Sequence, residues 1–210
     1  MASFERAIGP LLKAEGGYVN HPNDKGGATN FGISLKTYRT VDPEATEDTI
    51  KALTRDKAVA YYRQYWWNVG PYALLHDQTL ANKLFVTAVN LGTVRMTRLL
   101  QRTINGMERL QTPLVIDGRF GPKTIAAVNA LHAAQVEHEF TNVLIDWYRW
   151  LVIKDPSQKV FLNGWIERAK KTYEPIHDGS STGYRVPKGS PKSDIDRLME
   201  IFSPRSSTRF

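Results

Sequence analysis

The 210-residue chain contains no cysteine. That excludes a disulfide framework, a thiolate nucleophile and a cysteine-based zinc site, so stability must come from packing. No run approaches the ~20 consecutive apolar residues of a membrane span. No secretory signal is expected either, because residues 1–15 hold Glu5, Arg6, Pro10 and Lys13 and no unbroken apolar stretch. Internal repeats are absent and strand signals few. Acidic residues are in deficit, 21 against 28 basic ones, giving a formal net charge of +7. Such an excess steers a protein toward polyanions; by charge alone nucleic acid, anionic lipid and the anionic bacterial wall all qualify. What is present is ordinary globular content, 41% hydrophobic and 10% aromatic, enough for one ample core or two small ones.

The punctuation is that of helices. Phe4, Ile8, Leu11 and Leu12 share one face of a segment that Ser3 can cap and that Gly16 and Gly17 can end. Thr46 and Thr54 are N-cap candidates for a short helix near 47–53 and a longer one near 55–67. Leu80, Leu84, Phe85, Ala88 and Leu91 form a stripe that stops at Gly92, and a further helix, 93–105, stops at Gly106. Pro122 opens a helix over 123–132; others are expected over 136–153 and, after Pro156, near 157–173. Tyr18–Val19 and Asn30–Ile33 read as a small hairpin.

Glu15 is the residue with the clearest chemistry. A carboxylate at a helix C-terminus meets unpaired carbonyls and the negative end of the dipole, and an apolar helix face beside it removes water. Both effects favour the protonated form, which acid-catalysed cleavage of a glycosidic bond requires. A Glu before Gly-Gly can equally be a solvated helix end.

The residues that follow, Glu15-Gly16-Gly17-Tyr18-Val19-Asn20-His21-Pro22-Asn23-Asp24-Lys25-Gly26-Gly27-Ala28-Thr29-Asn30-Phe31-Gly32-Ile33, resemble the signature of the glycoside hydrolase family 108 lysozymes, mostly phage and prophage N-acetylmuramidases. The resemblance continues through Tyr61, Tyr65, Trp66, Phe85, Ala88, Val89, Asn90, Gly92, Gly164, Trp165 and Arg168. It implies a mainly α, lysozyme-like fold with a small β-hairpin beside the catalytic loop, and makes Glu15 the catalytic acid. A second resemblance, to phage-type lysozymes, matches Asp24 to the Asp that follows the catalytic Glu. Thr29 falls one residue short of the expected Thr and Asn30 occupies that position; either could orient a water. Related chains often carry Asp where this one has Val86. The catalytic candidates are thus Glu15, Asp24 and Thr29, and the substrate-binding candidates Tyr18, His21, Asn30, Trp66 and Asn90. By resemblance Asn90 faces the substrate and bonds an acetamido group, although it can also cap its helix. No metal or cofactor is implied.

Of the aromatic cluster, Tyr61 and Tyr65 are expected in the core, while Trp66 and Trp67 can line a sugar groove or be buried. Leu99-Leu100-Gln101 followed by Asp117-Gly118-Arg119-Phe120-Gly121-Pro122-Lys123-Thr124 resembles peptidoglycan-binding modules. Asp117-Gly118 makes a tight turn, Phe120 plugs it and Thr124 lies in a first helical turn, so the motif fits a scaffold as well as a wall-binding role. Residues 176–191 read as a Gly/Ser/Pro linker before a capping box at Ser193 and an apolar stripe of Ile195, Leu198, Met199 and Phe202.

The expected organisation is a lysozyme-like catalytic region at 1–95, a helical peptidoglycan-binding-like region at 96–175 packed on it, and a linker with a short amphipathic helix at 176–210. The expected activity is hydrolysis of the bond from N-acetylmuramic acid to N-acetylglucosamine; a lytic transglycosylase, a chitinase-like enzyme or a non-catalytic wall-binding virion protein are the alternatives. Peptidoglycan is the expected partner of a monomer, with anionic outer-membrane lipid a further partner for the tail and no nucleic acid. The resemblance implies either a holin-dependent endolysin held in the host cytoplasm until lysis or a component of the virion.

Overall fold

The computed structural model describes residues 1–14, 17–19 and 27–174, all within one compact unit, Met1–His177. Glu15, His21 and Asp24, and the linker and amphipathic segment of the tail, lie outside the described residues. Among the described residues helices dominate, with one small antiparallel sheet.

Helix α1, Phe4–Ala14, buries Phe4, Ala7, Ile8 and Leu11, the face set by its apolar spacing. Three short helices follow the hairpin: α2 (Leu35–Tyr38), α3 (Glu47–Lys51) and α4 (Arg55–Tyr62). Each is started by a hydroxyl. Ser34 accepts from the Thr37 amide, Thr46 and Thr49 exchange bonds as a capping box, and Thr54 accepts from the Lys57 amide. A cap of this kind contributes about 1 kcal/mol. The helix expected to continue to 67 instead widens into a π turn over Arg63–Trp67. The wider turn changes the phase of the side chains: Tyr65 packs on Tyr61, whereas Trp67 enters the core against Phe4 and Phe85.

Helix α5, Gln78–Leu91, starts at Asp77, whose carboxylate accepts from the Leu80 amide, and ends at Gly92 with φ +83°. A stripe of five apolar residues was the sequence expectation, but α5 is buried nearly all round. Asn82, Lys83 and Thr87 are as inaccessible as Leu84, because α1, α6 and α8 pack against α5. Helix α6 (Thr93–Gly106) passes through Gly106 rather than stopping before it; α7 (Pro122–Ala130) opens on Pro122. The long α8 (Ala133–Lys154) turns through a 3-10 segment, Pro156–Gln158, into α9 (Lys159–Lys170), which packs along α8.

Strand β1 (Thr29–Asn30) pairs with β2 (Ile33–Ser34), and Val19 bridges Thr29 through two 2.8 Å backbone bonds. The run 30–33 read as one strand is therefore mostly the turn: Phe31 and Gly32 have φ of +50° and +77°, the mirror-image geometry that joins two-residue hairpins. The centre of the core is a set of rings meeting edge to face: Phe4, Trp67, Tyr72 and Phe85. Phe120 reaches this set from beyond α6, 6.0 Å from Tyr72, so one core serves both halves of the unit.

Candidate active site

Two helices carry the chain toward the acidic candidates and the site's floor. The Ser3 amide donates to Gln78 Oε1 at 2.7 Å, Gln78 Nε2 donates back to the Ser3 carbonyl at 3.0 Å, and Asn82 Nδ2 reaches the Arg6 carbonyl at 3.5 Å. These bonds join residues 75 and 76 apart in sequence, so α1 and α5 run side by side in the same direction. Both rise about 1.5 Å per residue. The last turn of α1 and the last turn of α5, which carries Asn90, therefore lie at the same end of the pair.

Asn90 is bonded at both ends of its amide. Nδ2 donates to the Val86 carbonyl at 2.8 Å, and Oδ1 accepts from Arg168 Nη1 at 2.8 Å. Asn90 thus holds a cation from α9, a partner 78 residues away in sequence, rather than presenting an unoccupied amide. A small cleft opens beside the pair, lined by Val86, Thr87, Leu144, Tyr148 and Tyr173. Burial pushes the Tyr148 phenol up, against the pull of the Arg168 guanidinium. Val86 fills its position with a buried apolar side chain.

The other candidates separate into inward and outward residues. Asn30 is 5% exposed, and its Nδ2 donates to the carbonyls of Ile50 at 3.0 Å and Leu53 at 3.3 Å. It therefore fastens the hairpin to the end of α3, a structural use of a residue that the sequence offered for substrate binding. Thr29, next to it, is half-buried, and among the described residues its hydroxyl reaches the Gly27 carbonyl at 3.4 Å. Tyr18 is exposed on the neighbouring bridge. Trp66 is half-buried on the core edge and bonds the Tyr61 phenol, which burial pushes up. Of the cluster, Tyr61, Tyr62 and Trp67 are buried.

In the second half, the Asp117–Thr124 turn is organised by one buried side chain. Gln101 Nε2 lies within bonding distance of Asp117 Oδ1 (2.9 Å), Thr124 Oγ1 (3.2 Å) and the Arg119 carbonyl (3.3 Å), and its Oε1 accepts from the Gly118 amide at 3.0 Å. Gly118 has φ +80°, and a Cβ there would sit 2.8 Å from Val94. The motif residues are held by one another, which is the geometry of a scaffold.

Two polar features of α5 escaped the sequence reading. Lys83 is 1% exposed and donates to the carbonyls of Ala169 and Lys171, the latter at 2.8 Å. Burial pushes its ammonium down to about 8, against the favourable charge of Glu137. Asn82 donates to the Tyr173 carbonyl at 2.8 Å and accepts from Gln78. The i, i+4 spacing of Gln78 and Asn82 was the only local signal; the remaining partners are distant in sequence. Among the described residues, no group of three His, Asp or Glu is placed to hold a metal ion.

Comparison with known families places these features in context. Residues 8–92 match the model for glycosyl hydrolase 108, and residues 95–170 match that for a predicted peptidoglycan domain. The first match spans the Glu15 signature through α5; the second spans α6 to α9. The solved structure of Brucella abortus SagA superimposes with a TM-score of 0.66 at 30% identity, covering 79% of this chain and 88% of that one. No curated protein matches the chain by sequence.

Proposed function

This chain belongs to the glycosyl hydrolase 108 family and is a glycoside hydrolase acting on peptidoglycan, and from that premise we propose that it is an N-acetylmuramidase with Glu15 as the general acid. The observation that carries the proposal is the family match over 8–92, which includes the Glu15 signature. The parallel run of α1 and α5 supports it, because the end of α1 and the end of α5 that carries Asn90 lie at the same end of the pair. Glu15 follows α1 directly in sequence. In this reading the protonated Glu15 donates to the leaving glycosidic oxygen. Asp24 is the second carboxylate, and Thr29 orients water through its hydroxyl. Tyr18, His21 and Trp66 contact sugar.

The division of labour follows the two matches, a catalytic region at 1–95 and a wall-engaging region at 96–175 on a shared core. We place the enzyme in phage-mediated lysis, as a monomer released to the wall with a holin or carried in the virion, its tail meeting anionic outer-membrane lipid. Nucleic acid has no part in this reading.

Mass spectrometry of fragments from purified peptidoglycan tests the bond. The expected products carry reducing muramic acid ends; anhydromuramic ends identify a transglycosylase, and reducing glucosamine ends a glucosaminidase. Glu15→Gln keeps the shape of the side chain without its acidic proton. Turnover should fall about a hundred- to ten-thousand-fold with the melting temperature unchanged; residual activity above roughly one-tenth of wild type removes Glu15 from the acid role.

A further inference from the structure

Arg168 is an exposed cation that forms no salt bridge among the described residues. Among the described residues the salt bridges are Arg63 with Glu5, Arg149 with Asp146 and Lys170 with Glu167. Glu167, the acid nearest to Arg168 in sequence, is thus engaged elsewhere. Arg168 itself is exposed, yet Asn90 Oδ1 holds its Nη1 at 2.8 Å, and the Asn90 amide is in turn fixed by the Val86 carbonyl. A guanidinium has five donors in a planar fork suited to a carboxylate. Among the described residues Asn90 takes one donor, and no other hydrogen bond of the fork is made. Beside it lies the cleft between α5, α8 and α9, with Tyr148 and Tyr173 in its wall. This cleft sits on the seam between the two family-matching segments, because Asn90 belongs to 8–92 and Arg168 to 95–170.

We propose that Arg168, positioned by Asn90, binds a carboxylate of the wall polymer and thereby selects charged glycan over neutral glycan. The proposal rests on the reading of this protein as a peptidoglycan glycosidase. The chemistry is that of a carboxylate on a sugar-linked substituent, and two sources supply it: the lactyl group of a peptide-free muramic acid and the acidic residues of the stem peptide. A neutral N-acetylglucosamine polymer offers neither. Asn90 is a positioning residue here; it acts on the ligand through the orientation of the guanidinium.

The test is binding by the full-length protein, read by tryptophan fluorescence, to three soluble ligands. They are a muramic acid disaccharide with its free lactyl carboxylate, the same disaccharide carrying a tetrapeptide, and a neutral N-acetylglucosamine oligomer. Arg168→Gln should weaken binding of a carboxylate-bearing ligand at least tenfold, roughly the effect of losing one charge-assisted hydrogen bond, and leave the neutral oligomer unaffected. Loss confined to the tetrapeptide ligand identifies the stem as the source; loss confined to the peptide-free disaccharide identifies the lactyl group, whose carboxyl is an amide in the tetrapeptide ligand; loss on both shows that either carboxylate is accepted. Asn90→Ala keeps the charge but frees it, and should give a smaller loss in the same direction, while Arg168→Lys should not restore full affinity because it lacks the fork. Equal weakening on all three ligands, no weakening on any, or no binding by the wild type overturns the proposal. A wild-type protein that hydrolyses no glycan but shows the charged preference would overturn the muramidase reading and leave this one standing.

Discussion

The turn from Asp117 to Thr124 and the segment from Tyr18 to Ser34 look alike as sequence, each glycine-rich with an aspartate, a threonine and an aromatic residue, yet they use their polar side chains in opposite ways. In the first, Asp117 and Thr124 are bound by Gln101, and the Arg119 amide closes on Asp117. Its chemistry is turned inward. In the second, the described side chains divide: Asn30 is bound inside, Thr29 is half-buried and Tyr18 is exposed. A motif that resembles a binding module can thus be a staple.

The sharpest way to break this comparison is Gln101→Ala. It leaves the Gly118 amide without its partner and removes one bond each from Asp117, Thr124 and the Arg119 carbonyl, and an unsatisfied buried group costs about 1–3 kcal/mol. Denaturant unfolding should show a loss of about 3–5 kcal/mol in all, with activity per folded molecule retained. An activity loss without a stability loss would return the turn to a wall-binding role. Next in size is Gly118→Ala. The positive φ and the clash with Val94 should together cost about 2–3 kcal/mol by the same measurement.

The buried ammonium of Lys83 extends the comparison to the core. Its pKa is depressed in the folded state to about 8, below the unfolded lysine value of about 10.4. Between these values the unfolded chain binds more protons, so stability rises with pH through that window, by at most about 1.4 kcal/mol per unit. The phenols of Tyr61, Tyr72 and Tyr148 are shifted the other way by burial. Their contribution is complete below about 10 and is lost above it. Melting temperature should therefore climb a few degrees from pH 8 toward about 9.5 and then fall; Lys83→Met should flatten the climb. The smallest expected change in stability is Thr29→Ala, within about 0.5 kcal/mol. Its effect belongs in turnover, whereas Asn30→Ala should lower stability through the ties to Ile50 and Leu53.

Much of the fold was legible because its signals are local. Thr46, Thr54 and Gly92 act within a turn of themselves, and Pro122 presets the first turn of its helix. The errors are non-local. Phe31 gives no hint of a positive φ, since the hairpin imposes it. Asn82 and Lys83 read as breaks in an apolar stripe until the carbonyls of Lys171 and Tyr173 are brought to them. Of the site, the Glu15 signature was legible as a continuous motif, but the inward turn of Asn30 and the bond from Asn90 to Arg168 depend on residues far along the chain.

The burial of α5 also has a consequence for synthesis. Its partners come from both directions, Ser3 and Arg6 made early and Ala169 to Tyr173 made late. A nascent chain that has emerged only through Gly92 already contains the whole glycosidase match, but Lys83 and Asn82 still lack the carbonyls that satisfy them. An amine with no acceptor resists burial, so the ring core around Phe85 should close only after residue 173 clears the ribosome. Folding of the segment that matches glycosyl hydrolase 108 is thereby tied to completion of the segment that matches the predicted peptidoglycan domain.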